Sequence, residues 1–197
     1  LMLVEDCCES MGARYKNKYV GSFGRVASFS FYYSHHITTL EGGICVTNDH
    51  DLSEMMRIVR AHGWVRQVEN REKWTNTYKD FDPKFLFVND GYNLRITEPQ
   101  AAMGLLQIDK IDGFIKSRQS NAKKYFNELE SLSDFFTFQV TTKNSENTHF
   151  GFPLVCKNNK FFTRDEICSF LNSNGIETRP IIDGNLARQP ANRLFEH

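Results

Sequence analysis

The stretch from Val26 to Gly43 constrains this chain more than any other. A run of β-formers, Val26 to Tyr33, delivers Ser34, His35 and His36 to its end. Hydroxyl residues, Glu41 and a Gly42-Gly43 turn follow, and Ile44 to Thr47 reads as the next strand. Aromatic and β-branched runs bounded by glycine pack as strands of a sheet. Polar groups carried to a tight turn by such a strand are where a fold presents chemistry. The fold must therefore include a sheet containing these two strands, with two histidines at its rim.

The flanking segments say what surrounds that sheet. Leu1 to Val4 is a continuous apolar run ending in Glu5-Asp6, the pattern of a parallel strand buried on both faces. Asp6 then sits at a carboxyl end, where α/β sheets hold ligands. Residues 7 to 12 read as a turn or helix start that stops at Gly12, and Gly21-Ser22-Phe23-Gly24 as a loop. Asp49 or Asp51 caps a helix running through Met55, Met56, Ile58 and Val59 to about Ala61, with Gly63 as its stop. Residues 64 to 90 lack periodicity and read as a long functional loop with at most short structure.

Thr97-Glu98-Pro99-Gln100 is a capping box with proline in the first turn. The helix it opens has apolar residues at 101, 102, 105, 106 and 108, an amphipathic stripe. Helix continues from Ile111 to about Leu132 with a more polar surface and a break near Gly113. Phe135 to Val140 and His149 to Cys156 read as strands. Thr163-Arg164-Asp165-Glu166 is a second capping box, opening a helix that ends at Gly175, and Ile176 to Ile182 reads as another strand. The pattern predicts an α/β class with a boundary near residue 115: an α/β piece over 1–115, then a smaller α+β piece over 116–197.

Lys+Arg and Asp+Glu are equal at 24 each, which leaves no electrostatic footprint for nucleic acid or an anionic membrane. No apolar run approaches the roughly 18 residues of a membrane span. The five cysteines (Cys7, Cys8, Cys45, Cys156, Cys168) have no zinc-ligand or iron–sulfur spacing, so no metal site is expected from them and reduced thiols in the cytoplasm are the default. Leu1 to Val4 reads as a strand with nothing before it, and Leu194-Phe195-Glu196-His197 closes no element. The chain is therefore expected to be a piece of a longer protein.

Val4-Glu5-Asp6, Gly21-Ser22-Phe23-Gly24, Phe29-Ser30-Phe31, Glu41-Gly42-Gly43 and Gly91-Tyr92-Asn93-Leu94-Arg95 fall in an order and spacing that resemble the DegT/StrS nucleotide-sugar aminotransferases. The resemblance covers nearly the whole chain. It implies the fold type I architecture of pyridoxal phosphate enzymes: part of a large cofactor-binding domain with a mixed sheet, then part of a small domain. In that family a lysine five positions after the serine of the Ser-Phe pair bonds the cofactor covalently. Five after Ser30 is His35, and no lysine lies between Lys18 and Lys73. Histidine there resembles the sugar 3-dehydratases of the family, and Gly175-Ile176-Glu177-Thr178-Arg179-Pro180-Ile181 with Gly184-Asn185 resembles their GDP-sugar members. Gly184-Asn185-Leu186-Ala187-Arg188-Gln189-Pro190 is more similar to the CDP-sugar branch. The iron–sulfur signature of that second dehydratase type needs cysteines after the turn, and none lies between Cys45 and Cys156.

The resemblance implies a role for each matched position. His35 becomes general base and acid, work suited to an imidazole whose unperturbed pKa is about 6.5. Asp6 pairs with the protonated ring nitrogen of pyridoxal or pyridoxamine 5'-phosphate. Glu9 faces the cofactor ring, Ser30 holds its phosphate, and Asn93 reaches that phosphate from the partner subunit of a homodimer. Arg66 and Arg95 are candidates for a substrate phosphate; His36 is structural or supports its neighbour. The implied reaction removes the 3-hydroxyl of a GDP- or CDP-linked 4-keto-6-deoxyhexose in deoxysugar (lipopolysaccharide, O-antigen) synthesis, with L-glutamate restoring the amine form of the cofactor. One rival is a sugar aminotransferase without its lysine. The other is a non-catalytic regulatory or metal-binding protein using His35, His36, His50 and His62, which lack a helical i, i+4 pair.

Overall fold

A computed structural model gives the fold, and residues 1–182 and 185–195 are described in it. Asp183, Gly184, Glu196 and His197 lie outside the described residues, and with them the Gly184 part of the motifs above and the reading of His197. Two compact units divide the chain: Leu1–Ala122 with Thr141–Phe150, and Lys123–Val140 with Gly151–His197.

The first unit is built on a three-stranded mixed sheet in the order β1-β4-β5, from β1 (Val4–Asp6), β4 (Val26–Ser30) and β5 (Gly43–Val46). β1 runs parallel to β4, with Val4 opposite Val26 and Asp6 opposite Ser28. β5 returns antiparallel, with Ser30 opposite Gly43. Between β1 and β4 lie two short strands, β2 (Arg14–Tyr15) and β3 (Lys18–Tyr19), which pair antiparallel. The Leu1 to Val4 run was expected to be buried on both faces, but Leu3 is 56% and Val4 60% exposed. β1 is paired on one side only, with β4.

The aromatic strand is also shorter than its composition predicts. It stops at Ser30 because the chain folds back on itself there: the Tyr32 amide donates to Ser30 Oγ (3.2 Å) and the His35 amide to the Tyr32 carbonyl (3.0 Å). Local side-chain acceptors of this kind compete with the ladder and end strands.

After β5 comes α1 (His50–Val59), capped by Asp49, whose side chain accepts from the Leu52 amide at 3.0 Å. The predicted stop at Gly63 holds: φ is +81°, and a Cβ there would lie 1.6 Å from the Asn89 carbonyl oxygen. The 64–90 segment wraps back on α1, so that Ile58, Val65, Val68 and Leu86 form a buried core with Met55, Trp74 and Val88 around it. Its regular structure is short, as expected: α2 (Arg71–Thr77) and 3₁₀ turns at Val65–Gln67 and Pro83–Phe85.

The capping box at Thr97 opens α3 (Glu98–Ile108), and α4 (Ile111–Leu129) follows. The interruption falls at residues 109–110, not near Gly113, which lies within α4 with open space around it. The division between the units falls inside α4, and Thr141–Phe150 belongs to the first unit. This returning segment carries β7 (Ser145–Glu146), which pairs antiparallel with β2.

The second unit contains β6 (Phe136–Phe138) paired antiparallel with β8 (Leu154–Cys156), then α5 (Arg164–Ser173). Phe126, Phe138 and Phe152 cluster there, with Phe126 and Phe152 centroids 4.9 Å apart, edge to face. Both halves of the Thr163 capping box form. Ile176 to Ile182, expected as a strand, is not one: the β6–β8 sheet has two strands among the described residues, and this segment is in neither.

Candidate active site

Parallel pairing of β1 and β4 brings Asp6 and Ser30 to one edge of the sheet, Ser30 two residues past the register partner of Asp6. The Asp6 carboxylate accepts the Cys8 amide on Oδ1 at 3.1 Å. Hydrogen bonds from Cys8, with a lesser one from Ser28, outweigh burial and hold its pKa below the usual carboxylate value. Asp6 therefore stays anionic in a place where its carboxylate is exposed. Ser30 Oγ accepts the Tyr32 amide, which leaves its own O–H free to donate.

The loop that follows is tied at both ends. Phe31 and Gly42 bond amide to carbonyl at 2.9 Å, and the Thr39 amide returns to the Phe31 carbonyl at 2.9 Å. Thr39, 1% exposed, sends its hydroxyl to the Glu41 carbonyl at 2.7 Å. Gln100, from the first turn of α3, donates to the same carbonyl at 2.9 Å. Gly42 sits at φ +142°, where a Cβ would come 2.7 Å from Thr39 Oγ1, so glycine is required there.

Inside this frame the two histidines differ. His36 is 3% exposed; burial, reinforced by the positive charge of Arg118, pushes its pKa down to about 4. His35 is half-buried, and its Nδ1 has no hydrogen-bond partner. The His35 ring makes T-shaped contacts with Tyr32, at 5.7 Å and 78°, and Phe150, at 5.2 Å and 83°. Arg118 of α4 donates to the carbonyls of His149 (3.2 Å) and Phe150 (3.0 Å).

The other predicted residues sit elsewhere. Glu9 is exposed in the turn after β1, where the Ser10 amide bonds the Cys7 carbonyl at 3.1 Å. Asn93 forms a bridge with Ala61 beyond the end of α1, and Arg95 Nε donates to Asn93 Oδ1 at 3.2 Å. Arg66 stacks its guanidinium on Trp64, 5.1 Å from the ring centre. Among the described residues, no hydrogen bond or ion pair joins Asn93, Arg95 or Arg66 to Asp6, Ser30 or His35. No three His, Cys, Asp or Glu side chains among them are grouped to hold a metal ion.

Sequence reasoning missed four participants. Glu5 accepts the amides of Gly21 (2.7 Å) and Phe23 (2.6 Å) and also that of Gly24, fixing the glycine loop beside β1. A glycine-rich loop with unpaired amides, preceded by an acidic strand residue, was the available signal. Cys8 had a weaker one, its spacing of two from Asp6. Arg118 and Phe150 had none, because they reach the turn only through tertiary folding.

A family model described as the DegT/DnrJ/EryC1/StrS aminotransferase family matches residues 1–195. The GDP-4-keto-6-deoxy-D-mannose 3-dehydratase of Escherichia coli O55:H7 is 40% identical over 190 residues, covering 95% of this chain and 48% of that protein. A solved E. coli GDP-4-keto-6-deoxy-D-mannose-3-dehydratase with bound hydrated PLP matches with a TM-score of 0.88 at 38% identity, over 99% of this chain and 50% of that one. A GDP-4-keto-6-deoxymannose-3-dehydratase with a trapped PLP-glutamate geminal diamine gives a TM-score of 0.79 at 36% identity, over 94% of this chain and 48% of that one. The chain thus spans about half the length of the relatives it matches, and over that half it has their fold. With the motif order, the mixed sheet and the match over residues 1–195 in agreement, this chain belongs to the DegT/DnrJ/EryC1/StrS aminotransferase family.

Proposed function

We propose that the protein is a nucleotide-sugar 3-dehydratase: it removes the C3 hydroxyl of a 4-keto-6-deoxyhexose, GDP-linked by similarity to its relatives. One observation carries the reading. Where aminotransferases of the family bear a lysine, this chain has His35, with Nδ1 uncommitted, beyond the sheet edge that also bears Asp6 and Ser30.

The residues present fit pyridoxal or pyridoxamine 5'-phosphate. Asp6, kept anionic by Cys8 and Ser28, is the partner a protonated pyridine nitrogen needs. Ser30 keeps a donor for the phosphate, and Glu9 lies in the turn following Asp6. Asn93 from the partner subunit of a homodimer completes the phosphate contacts, and Arg66 and Arg95 serve the nucleotide phosphates. When bound, the amine form of the cofactor supplies the nitrogen that condenses with the 4-keto group and a conjugated ring that takes up electrons.

His35 does the proton work. Its imidazole nitrogen accepts a proton released next to the ring and returns one to the departing C3 hydroxyl, which leaves as water. An imidazole cannot hold the cofactor covalently as lysine does, so His35 would leave it unanchored. L-Glutamate would be the amino donor, in line with the PLP-glutamate adduct trapped in a relative. We place the activity in the cytoplasm, in deoxysugar synthesis for lipopolysaccharide O-antigen.

The test uses the full-length protein with pyridoxal phosphate, glutamate and GDP- or CDP-4-keto-6-deoxyhexoses, followed by mass spectrometry. The expected product lacks the 3-hydroxyl, and His35→Lys abolishes its formation while the cofactor acquires the absorbance of a lysine adduct. Dehydration at the parental rate in His35→Lys would remove His35 from the mechanism. A gained amino group in the parent's product would make the protein an aminotransferase.

A further inference from the structure

We infer that Phe150, anchored by Arg118, is the positioning residue that sets the His35 ring. The inference rests on His35 being the proton-transfer group. A working histidine normally has its ring fixed by a hydrogen bond from one nitrogen to a carbonyl or carboxylate. Here Nδ1 is buried and bonds nothing, so ring contacts must hold it. Two aromatic edges do so. Tyr32 belongs to the same turn and is itself exposed, packed on Tyr33 at 4.5 Å. Phe150 meets the ring at 5.2 Å and 83°, from a segment far along the chain.

That segment is built to hold one position. Arg118 Nη1 donates to the carbonyls of both His149 and Phe150, and Gln119 Nε2 to the Asn147 carbonyl at 3.0 Å. The His149 amide bonds Asn147 Oδ1 at 2.8 Å while its own φ is +50°, a left-handed backbone that a non-glycine residue adopts only where its surroundings enforce it. Thr148 between them is 1% exposed, and β7 just before ties the segment to β2. One turn of α4 thus fixes the Phe150 backbone, and the Phe150 side chain fixes His35.

Clamping by rings has a consequence that a hydrogen bond would not. A carbonyl partner would commit Nδ1 to carrying a proton and favour one tautomer. Aromatic edges favour a ring orientation without choosing between tautomers. A group that must first take and then give a proton keeps the same pose in both states.

The test compares Phe150→Leu, Phe150→Tyr, Arg118→Met and Arg118→Lys in the full-length protein. Steady-state dehydration would be measured alongside NMR of ¹⁵N-histidine-labelled protein without cofactor. Phe150→Leu should lower kcat by about ten-fold with KM little changed, the size of effect expected when a reacting group is slightly misplaced. Phe150→Tyr should restore most of it. The His35 ring resonances should move and broaden in Phe150→Leu before any cofactor is added, and Arg118→Met should reproduce both effects with partial rescue by Arg118→Lys. If Phe150→Leu does not fold, the Arg118 pair carries the same comparison. Unchanged kcat with unmoved His35 resonances would overturn the inference, as would a loss of kcat that merely tracks lost folded protein. His35→Asn separates this from the underlying reading: dehydration surviving that change removes the role of His35 itself, whatever Phe150 does.

Discussion

Replacing Glu5 by glutamine isolates the strongest local interaction beside the sheet. One carboxylate oxygen accepts the Gly21 amide and the other accepts those of Phe23 and Gly24. Glutamine has a single acceptor oxygen. Turned towards Phe23 and Gly24, it leaves its NH₂ group facing the Gly21 N–H, two donors with nothing between them. Losing one charge-assisted bond and reducing two others to neutral strength costs about 2–4 kcal/mol for a sheltered site. Glu5 is only half-buried, so water recovers part of this and about 2 kcal/mol is the expected loss. For a chain of 197 residues that corresponds to a fall in Tm of roughly 4–8 °C.

The pH dependence gives a second check on the same site. Burial raises the Glu5 pKa, but the amides of Gly24, Gly21 and Phe23, helped by Lys18, outweigh it and bring the net value below 4.5. A carboxylate depressed in the folded state contributes fully above its unfolded pKa, and the contribution is lost as pH falls through the lower folded value. The gap between parent and Glu5→Gln should therefore be full at pH 7 and shrink below about pH 4.5. Urea titrations followed by circular dichroism measure it at each pH. Equal midpoints at pH 7, or a gap that persists undiminished in acid, would refute the three-amide account.

Further outcomes follow from other sites. His36 is kept neutral by burial and Arg118, with a pKa near 4 against 6.5 when free, so the unfolded chain binds its proton first. Parental stability should fall between pH 6.5 and about 4 more steeply than that of His36→Phe, and identical slopes in urea titrations would reject this. Gly63→Ala should destabilise by more than about 3 kcal/mol, because the new Cβ meets the Asn89 carbonyl in a left-handed backbone, whereas Gly113→Ala, in open space within α4, should stabilise by about 0.5–1 kcal/mol. Thermal melts of the pair must differ in sign. Thr163→Ala removes half of a capping box and should cost about 1 kcal/mol, seen as faster hydrogen exchange at the start of α5.

What could be read from the sequence was what depends on neighbours a few residues apart. Both capping boxes, at Thr97 and Thr163, and the glycine stop at Gly63 involve short-range geometry, and all three are where the residues placed them. The turn after Ser30 was legible as a site because glycine, histidine and hydroxyl residues coincide there. Strand lengths and burial were less legible. β4 ends early because of a serine hydroxyl that propensity does not weigh, and the apolar Leu1 to Val4 run is exposed where a buried strand was expected. Ile176 to Ile182 has strand composition but is in no strand among the described residues. Cα pairing partners are tertiary facts, and period-two patterns do not reveal them.

The adjacent histidines show where sequence reading stops and physics continues. His35 and His36 are identical side chains one residue apart, and only their spacing from Ser30 favoured the first. Their surroundings favour it independently. An exchange acid near neutral pH must be able to take a proton, and His36, buried with Arg118's charge facing it, is held neutral until about pH 4. His35 is half-buried and meets the rings of Tyr32 and Phe150. Arg118 acts on both: its charge keeps His36 unprotonated, and its two hydrogen bonds hold the backbone of the phenylalanine that flanks His35. Removing that charge should therefore ease protonation of His36 while loosening His35, two distinct changes on neighbouring rings. Histidine NMR titration of Arg118→Met resolves them separately, and a common shift of both rings would mean that Arg118 acts on the loop as a whole.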